Sequence, residues 1–472
     1  VEWTQGPLKI VLCYPRTRMN TLDVRQIKSL VQPDRVHRAV YTDPALFELE
    51  LDRLFGRAWL ILGHESQIPN PGDFLTTRLG REAVIVTRHA DGSVRVLVNR
   101  CAHRATRVCE ATSGSCRQFV CPYHGWTYAT DGTLVSVPGP EGYDRPVADM
   151  TDLRLRPVPR VDAYRGFLFA SLAEHGPSLP EFLGPLRASF DDFVERAPAG
   201  AVEVAGGVLK HAYQGNWKLV LENHNDAVHP AFVHASSIWA AREQPAATGE
   251  AYSEIGIRQM LQNGAPWEVW ERTGLWGARY GHSWMGDYHD DSRLVAALDH
   301  PAFADYRAAL ERRVGREGAK RVLGELRWNS IVYPNCSFMS QFRQLRIVHP
   351  VAVDRTIVHA YSFRLKGAPE SMFRETIAFA NVVNGTASPV LTDDLEVYER
   401  AQRGLGALGA DWVFLGRGHG GDVPDRDGTL RGRTGTSEIH LRNQFAAWLE
   451  YMTCEPPSTP PTPLPTHRGK GG

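Results

Sequence analysis

Two short segments constrain this chain more than anything else in it: Cys101-Ala-His103 and Cys121-Pro-Tyr-His124, with seventeen residues between them. Each supplies one thiolate and one imidazole. Carried on two loops of one scaffold, such segments can hold a two-iron, two-sulfur cluster with sulfur ligands on one iron and nitrogen ligands on the other. Replacing two thiolates by neutral imidazoles leaves the cluster less negative and raises its potential. Such a centre relays electrons and makes no bonds, so the rest of the chain has to supply the chemistry. The competing assignment is structural zinc. Zinc is ordinarily held by closely spaced cysteine pairs or by a finger whose histidines are grouped, and one Cys plus one His per segment fits the mixed-ligand iron–sulfur centre better.

At 472 residues the chain has room for two domains. Its 43% hydrophobic and 22% charged residues are those of a soluble globular protein. Lys+Arg and Asp+Glu are equal at 53 each, so no net field favours nucleic acid or an anionic membrane. No apolar run reaches membrane-spanning length. The seven cysteines are scattered and odd in number, which is no disulfide framework and points to a reducing cytoplasm. Cys109 and Cys116, between the ligand pairs, are expected to be buried free thiols rather than spare ligands or a disulfide. Residues 1–18 precede Met19-Asn-Thr-Leu-Asp, which reads as a natural start. They are expected to be a non-native or disordered extension without a signal peptide. The tail 456–472, rich in Pro, Thr and Gly, is expected to be disordered.

Residues 43–59 carry apolar side chains at helical spacing behind an Asp-Pro start. They place a helical segment, 19–60, against the catalytic part. From 61 to 172 short runs such as Ala83-Val-Ile-Val-Thr87, Val94-Arg-Val-Leu-Val98 and Gly166-Phe-Leu-Phe-Ala-Ser171 alternate with turns. Asp91-Gly92 and Asp131-Gly132 are hairpin signals. This region reads as a small antiparallel β domain bearing the cluster ligands on two loops. Residues 173–455 mix both periods: strands at 208–213, 330–333, 345–351 and 356–363, and helices at 301–326, 369–383, 388–403 and 441–452. The fold class is therefore α+β, a small β domain plus a larger domain with an antiparallel sheet flanked by helices in a helix-grip-like arrangement.

A second ligand set lies in Glu222-Asn223-His224-Asn225-Asp226-Ala-Val-His229-Pro230-Ala-Phe-Val-His234. On a helix, Asp226 and His229 share a face; Pro230 then disfavours helical geometry at His229 and marks a break or a new turn. His234 can fold back beside His229. Two imidazoles plus one carboxylate form the facial triad of non-haem ferrous oxygenases, with positions left open for dioxygen. The carboxylate is expected from Asp393, Asp394, Glu396 or Glu399, with Asp394 placed first. Asp226 reads as a carboxylate that orients a ligand imidazole.

With both ligand sets in place, the chain resembles the large (alpha) subunit of Rieske non-haem iron aromatic-ring-hydroxylating oxygenases. The resemblance runs from about Asp34 to Met452. It implies that Cys101, His103, Cys121 and His124 bind the [2Fe-2S] Rieske cluster and that His229, His234 and Asp394 bind a mononuclear Fe(II). It also implies that Asp226 is catalytic, bridging the two centres across a subunit boundary in an alpha3 or alpha3beta3 assembly with a small beta subunit. His64-Glu-Ser-Gln-Ile-Pro69, Glu222-Asn-x-x-Asp226, Val332-Tyr-Pro-Asn335 with Met339-Ser-Gln-Phe342, and Asp393-Asp-Leu-Glu396 are similar to the benzoate, toluate and anthranilate branch. Three departures stand out. Ala105 occupies a position where Gly is usual, Val228 replaces an aromatic, and His224-Asn225 replace two small residues. Asn223, His224 and Met339 are candidates for the substrate pocket.

The implied activity is that of a terminal oxygenase using dioxygen and NADH-derived electrons on a small aromatic substrate, by cis-dihydroxylation of an aromatic carboxylate. The alternative is a monooxygenase, either a salicylate-type hydroxylase or an O-demethylase. A Rieske protein for electron transfer alone would need only the β domain. Gly404-Leu-Gly406-Ala-Leu-Gly409 matches a dinucleotide fingerprint, yet a charged helical segment and no strand precedes it. It reads as a helix end, so NADH is expected to act through a separate reductase, with or without a ferredoxin.

Overall fold

Turn residues cut the first half of the chain into short strands that pair as those turns require. The computed structural model describes residues 23–243, 260–288 and 303–454, so the expectations for 1–18 and 456–472 lie outside the described residues. Asp91-Gly92 joins strands Glu82–Arg88 and Val94–Val98, and Asp131-Gly132 joins Thr127–Ala129 and Leu134–Ser136. Gly92 and Gly132 have φ of 82° and 89°, which Gly adopts without steric cost. The preceding aspartates accept the N–H of Ser93 at 2.8 Å and of Thr133 at 2.9 Å. A further hairpin, between Arg160–Tyr164 and Phe167–Ser171, turns on Arg165-Gly166, both with positive φ, and so lacks the Asp-Gly signature.

These strands form a four-stranded sheet (Val94–Val98, Glu82–Arg88, Asp73–Leu79, Ser113–Ser115) and a three-stranded sheet (Leu134–Ser136, Thr127–Ala129, Gln118–Val120). Phe74, Ile85, Leu97, Phe119, Trp126, Tyr128 and Leu155 close a small core between them, and the buried Cys101 and Cys121 belong to it. Cys109 and Cys116 are free but only half-buried, a correction to the expectation of buried thiols. Both lie on the loops and short strands at the edge of that core.

The N-terminal segment departs from a wholly helical reading. Asp43 Oδ1 accepts the N–H groups of Ala45 and Leu46 (2.7 and 3.3 Å), and helix Pro44–Arg53 follows. It stops at Arg53, short of residue 59, and the turn that follows brings Gly56 against the Asp52 carbonyl where no Cβ fits. Upstream, Pro33-Asp34 turns a hairpin of Val31–Gln32 and Arg35–His37, and Trp412–Phe414 adds a third strand to it.

The larger part is built on one antiparallel sheet of nine strands. The order is Val202–Tyr213, Arg355–Leu365, Gln344–Ala352, Cys336–Met339, Glu325–Val332, Ser283–Tyr288, Gly274–Gly277, Leu430–Arg431 and Val423–Pro424. Helices Ala304–Gly324, Glu370–Asn384, Leu391–Leu405 and Ile439–Thr453 occur where the 3.6-residue pattern places them. Leu391–Leu405 ends on Gly406, so the glycine triplet closes a helix. The largest core is continuous from Ile27 through Phe167 to Met452. Asn335 joins the two parts directly, accepting from Ile61 N–H and donating to Ile61 C=O, both at 3.1 Å. No helix among the described residues is long and apolar enough to cross a membrane.

Candidate metal centres and active-site cavity

The two Cys-His loops are built alike. Cys101 N–H donates to Thr106 C=O at 2.8 Å and Ala105 N–H returns to Cys101 C=O at 3.0 Å. Cys121 N–H donates to Trp126 C=O at 2.8 Å and Gly125 N–H returns to Cys121 C=O at 3.0 Å. Both returns need a left-handed residue, and φ is 62° at Ala105 and 68° at Gly125. The loops set His103 and His124 with ring centroids 4.6 Å apart, and His103 stacks on Trp126. Tyr128 Oη lies 3.2 Å from Cys101 Sγ. His103 Nδ1 is buried without a protein partner.

The second set comes together from three separate stretches of backbone. Helix Lys218–His224 ends before Asp226, so Asp226 and His229 do not share a helix as the spacing suggested. Asp226 Oδ1 instead caps a turn, accepting from Val228 N–H (2.6 Å) and His229 N–H (3.3 Å). His229 keeps helical φ/ψ (−58°, −36°) despite the following proline, because Pro230 is the first residue of a new short helix, Pro230–Val233. His234, just past that helix, stands 5.5 Å from His229 between ring centroids. Leu391–Leu405 buries Leu391, Asp394 and Tyr398 on one stripe. Its first turn thereby brings Asp394 Oδ1 to 3.4 Å from His234 Nε2 and 3.8 Å from His229 Nε2.

One ligand atom from each of His229, His234 and Asp394 lies within 4.8 Å of the others. Each histidine also has a carboxylate behind it: Asp226 Oδ2 is 3.8 Å from His229 Nδ1, and Asp393 Oδ2 is 3.5 Å from His234 Nδ1. Burial, then the neighbouring His234, pulls the His229 pKa down to about 3. Burial pushes the Asp394 carboxyl up to about 7. Neutral imidazoles and a buried carboxylate are the donors a divalent cation completes. Of the other carboxylate candidates, Glu396 pairs with Arg400 at 2.7 Å and Glu399 accepts from Gln214 N–H at 3.4 Å.

These three residues line a cavity of about 110 Å³ between the large sheet and its covering helices. The three pocket candidates all line it. Asn223 donates to Asp394 Oδ1, His224 Nδ1 meets Ser337 Oγ at 2.7 Å, and the Met339 sulfur accepts from Arg346 at 3.3 Å. Asn225 does not line the cavity; its buried side-chain amide donates to Ser283 Oγ at 2.9 Å. Two further polar residues on the sheet side, His211 and Arg346, also line it. Both sit inside strands, and only an arginine in the middle of the apolar run Leu345-Arg-Ile-Val-His349 hinted at one of them.

The Rieske [2Fe-2S] domain family matches residues 58–155, and the ring hydroxylating alpha subunit (catalytic domain) family matches residues 198–453. The chain is 34% identical to the toluate 1,2-dioxygenase alpha subunit of Pseudomonas putida, over 90% of each chain. It is 32% identical to the anthranilate 1,2-dioxygenase large subunit of Acinetobacter baylyi, over 82% of this chain and 80% of that one. This chain belongs to the ring-hydroxylating oxygenase alpha subunits. Among solved structures, naphthalene 1,2-dioxygenase with indole bound in the active site superposes with a TM-score of 0.75 at 26% identity, covering 90% of this chain and 94% of that one.

Ring-hydroxylating alpha subunits carry a Rieske cluster and a mononuclear iron, and this chain offers a fitting donor set for each. The orphaned His103 Nδ1, on a ring 4.6 Å from that of His124, and the two buried thiols Cys101 and Cys121 suit the cluster. The His229, His234 and Asp394 arrangement suits the iron.

Proposed function

We propose that this alpha subunit dihydroxylates the ring of an aromatic carboxylate, using the Rieske centre held by Cys101, His103, Cys121 and His124 and the iron held by His229, His234 and Asp394. The observation that carries the reading is the convergence of two histidines and one buried carboxylate on one cavity, in a chain that also bears the two Cys-His loops. The carboxylate substrate is supported by the relatives, which include toluate, 2-halobenzoate and anthranilate dioxygenases.

The bound iron supplies dioxygen activation, which no amino-acid side chain provides. The chain's own residues do the rest. Asn223 donates to Asp394 Oδ1 at 3.2 Å and holds the carboxylate on its first-turn position. Asp226 and Asp393 sit behind the two imidazoles, fixing their orientation and raising their basicity. Val220, Val358, Val383 and Leu391 give the cavity apolar walls that exclude water from the ring.

Asp226 is the more exposed of the two carboxylates behind the imidazoles, its side chain 37% exposed against 28% for Asp393. We read it as the bridge by which electrons arrive from the cluster of a neighbouring subunit in an alpha3 or alpha3beta3 assembly. Exposed Phe232 near it and exposed Tyr123 on the cluster loop support such a contact. A small beta subunit, a separate reductase that oxidises NADH and, where needed, a ferredoxin complete the proposed system. Free thiols throughout the described residues support a cytoplasmic setting.

The test is a single turnover of the reduced holoenzyme under ¹⁸O-labelled dioxygen with benzoate, anthranilate, salicylate, phthalate and toluene. Two labelled atoms in a carboxylated diol are expected. One labelled atom would assign a monooxygenase, and unlabelled or absent products would overturn the reading.

A further inference from the structure

Arg346 is a buried cation that forms no direct ion pair among the described residues, although it feels the charge of Asp394. It lies on Gln344–Ala352, third from the edge of the large sheet, and is 4% exposed. Among the described residues the other buried cations each face a carboxylate: Lys218 with Glu50, Arg196 with Asp192, Arg343 with Glu375. The hydrogen bonds of Arg346 go to neutral acceptors: Nε to Asn384 Oδ1 (2.9 Å), one Nη to Asn329 Oδ1 (3.4 Å) and the other to the Met339 sulfur (3.3 Å).

An unpaired guanidinium in a protein interior is costly, and a sheet strand gains nothing from it. A guanidinium has five N–H donors. Three are committed here, leaving one N–H on each terminal nitrogen to donate to a ligand carboxylate. Asp394 lines the same cavity and attracts Arg346 from a distance, but the two make no ion pair and its carboxylate is engaged by Asn223 and His234. A second polar group supports a ligand. His211 is buried, lines the cavity from strand Val202–Tyr213, and neither of its ring nitrogens has a partner. The register places it on the same sheet face as Arg346. Arg346 pairs with Ala360, two residues from Val358, and Val358 pairs with His211.

We infer that Arg346 is the specificity-determining residue of the cavity: its free guanidinium edge binds the carboxylate of an aromatic monocarboxylate, with His211 as an additional neutral donor. The inference rests on the cavity being the active site proposed above. It goes beyond that reading by naming the side chain that selects the substrate and by limiting the substrate to one carboxylate. Among the described residues that line the cavity Arg346 is the only Lys or Arg, so a second carboxylate would have no cation of its own.

Nitrobenzene has the shape of benzoate without its charge, so the pair isolates the ionic contribution. Anaerobic calorimetry on the full-length holoenzyme would compare benzoate, 3-methylbenzoate and 2-aminobenzoate with the corresponding nitroarenes. The wild type is expected to bind a carboxylate about 100-fold tighter than its nitro counterpart. Arg346→Gln is expected to abolish that preference while changing nitroarene affinity by no more than about threefold, and Arg346→Lys to keep part of it. Equal wild-type affinities, failure of all three carboxylates to bind, or an unchanged preference in Arg346→Gln would overturn the inference. If Arg346→Gln loses its Rieske absorption and fails to fold, the wild-type comparison still decides. Turnover of the same compounds separates the two proposals. Absence of any ring oxidation would sink the proposed function, whereas the calorimetry judges Arg346 by itself.

Discussion

The side-chain amide of Asn223 donates to Oδ1 of Asp394 at 3.2 Å, joining the end of helix Lys218–His224 to the first turn of helix Leu391–Leu405, 171 residues further along. That bond holds the carboxylate of the triad against its two histidines. Asn223→Ala is expected to lower ferrous-iron affinity about 10- to 100-fold and to leave the Rieske absorption unchanged. Iron titration of the apoprotein measures the first and visible spectroscopy the second. Unaltered iron affinity would remove Asn223 from the site's supporting structure.

Asp226 has two separable roles. Its Oδ1 caps Val228 and His229 N–H groups, and its charge lies beside His229 Nδ1. Asp226→Asn retains an acceptor for the cap and discards the charge. Both metals should remain bound while electron transfer from cluster to iron slows at least 10- to 100-fold, as read by stopped-flow oxidation of the reduced cluster. Near-normal rates would count against a bridging role.

Ala105 holds φ at 62° in a loop whose counterpart uses Gly125. A non-glycine residue in the left-handed region is strained by roughly 1–2 kcal/mol, partly offset by the greater freedom of glycine in the unfolded chain. Ala105→Gly is therefore expected to stabilise the cluster domain by up to about 1 kcal/mol, seen as slower cluster loss on heating. Faster loss would show that the Ala105 methyl contributes packing that outweighs the backbone strain.

Glu50 anchors the N-terminal segment. Fully buried, it pairs with Lys218 Nζ at 2.5 Å and accepts from Trp217 and Trp448 at 2.8 and 2.7 Å. Glu50→Gln leaves the buried Lys218 ammonium without its direct ion-pair partner, with only the more distant Glu222 opposing its charge, and is expected to cost about 3–5 kcal/mol in denaturant unfolding. A loss under about 1 kcal/mol would mean that Lys218 is held neutral.

The paired Cys-His loops and the gathering of His229, His234 and Asp394 were legible because metal chemistry demands particular donors at short spacing, and few other pressures place them together. The long helices and sheet strands were legible from their periodicity. The hairpin at Pro33-Asp34 was not, because its third strand, Trp412–Phe414, comes from far along the chain. Arg346 and His211 were hidden for a related reason. Each is a single polar residue within a strand, and only strand pairing puts both on the cavity face. Asp393 read as a rival ligand. The helix turn directs it instead behind His234, a distinction that spacing alone does not make.

The central claim is that one chain holds two separate metal centres, one relaying electrons and one oxidising the ring, and His229→Ala tests it most directly. The variant should retain the full Rieske absorption, lose the mononuclear iron by metal analysis, and show no ring oxidation with any substrate of the wild type. Retained turnover, or loss of both centres together, would contradict the account.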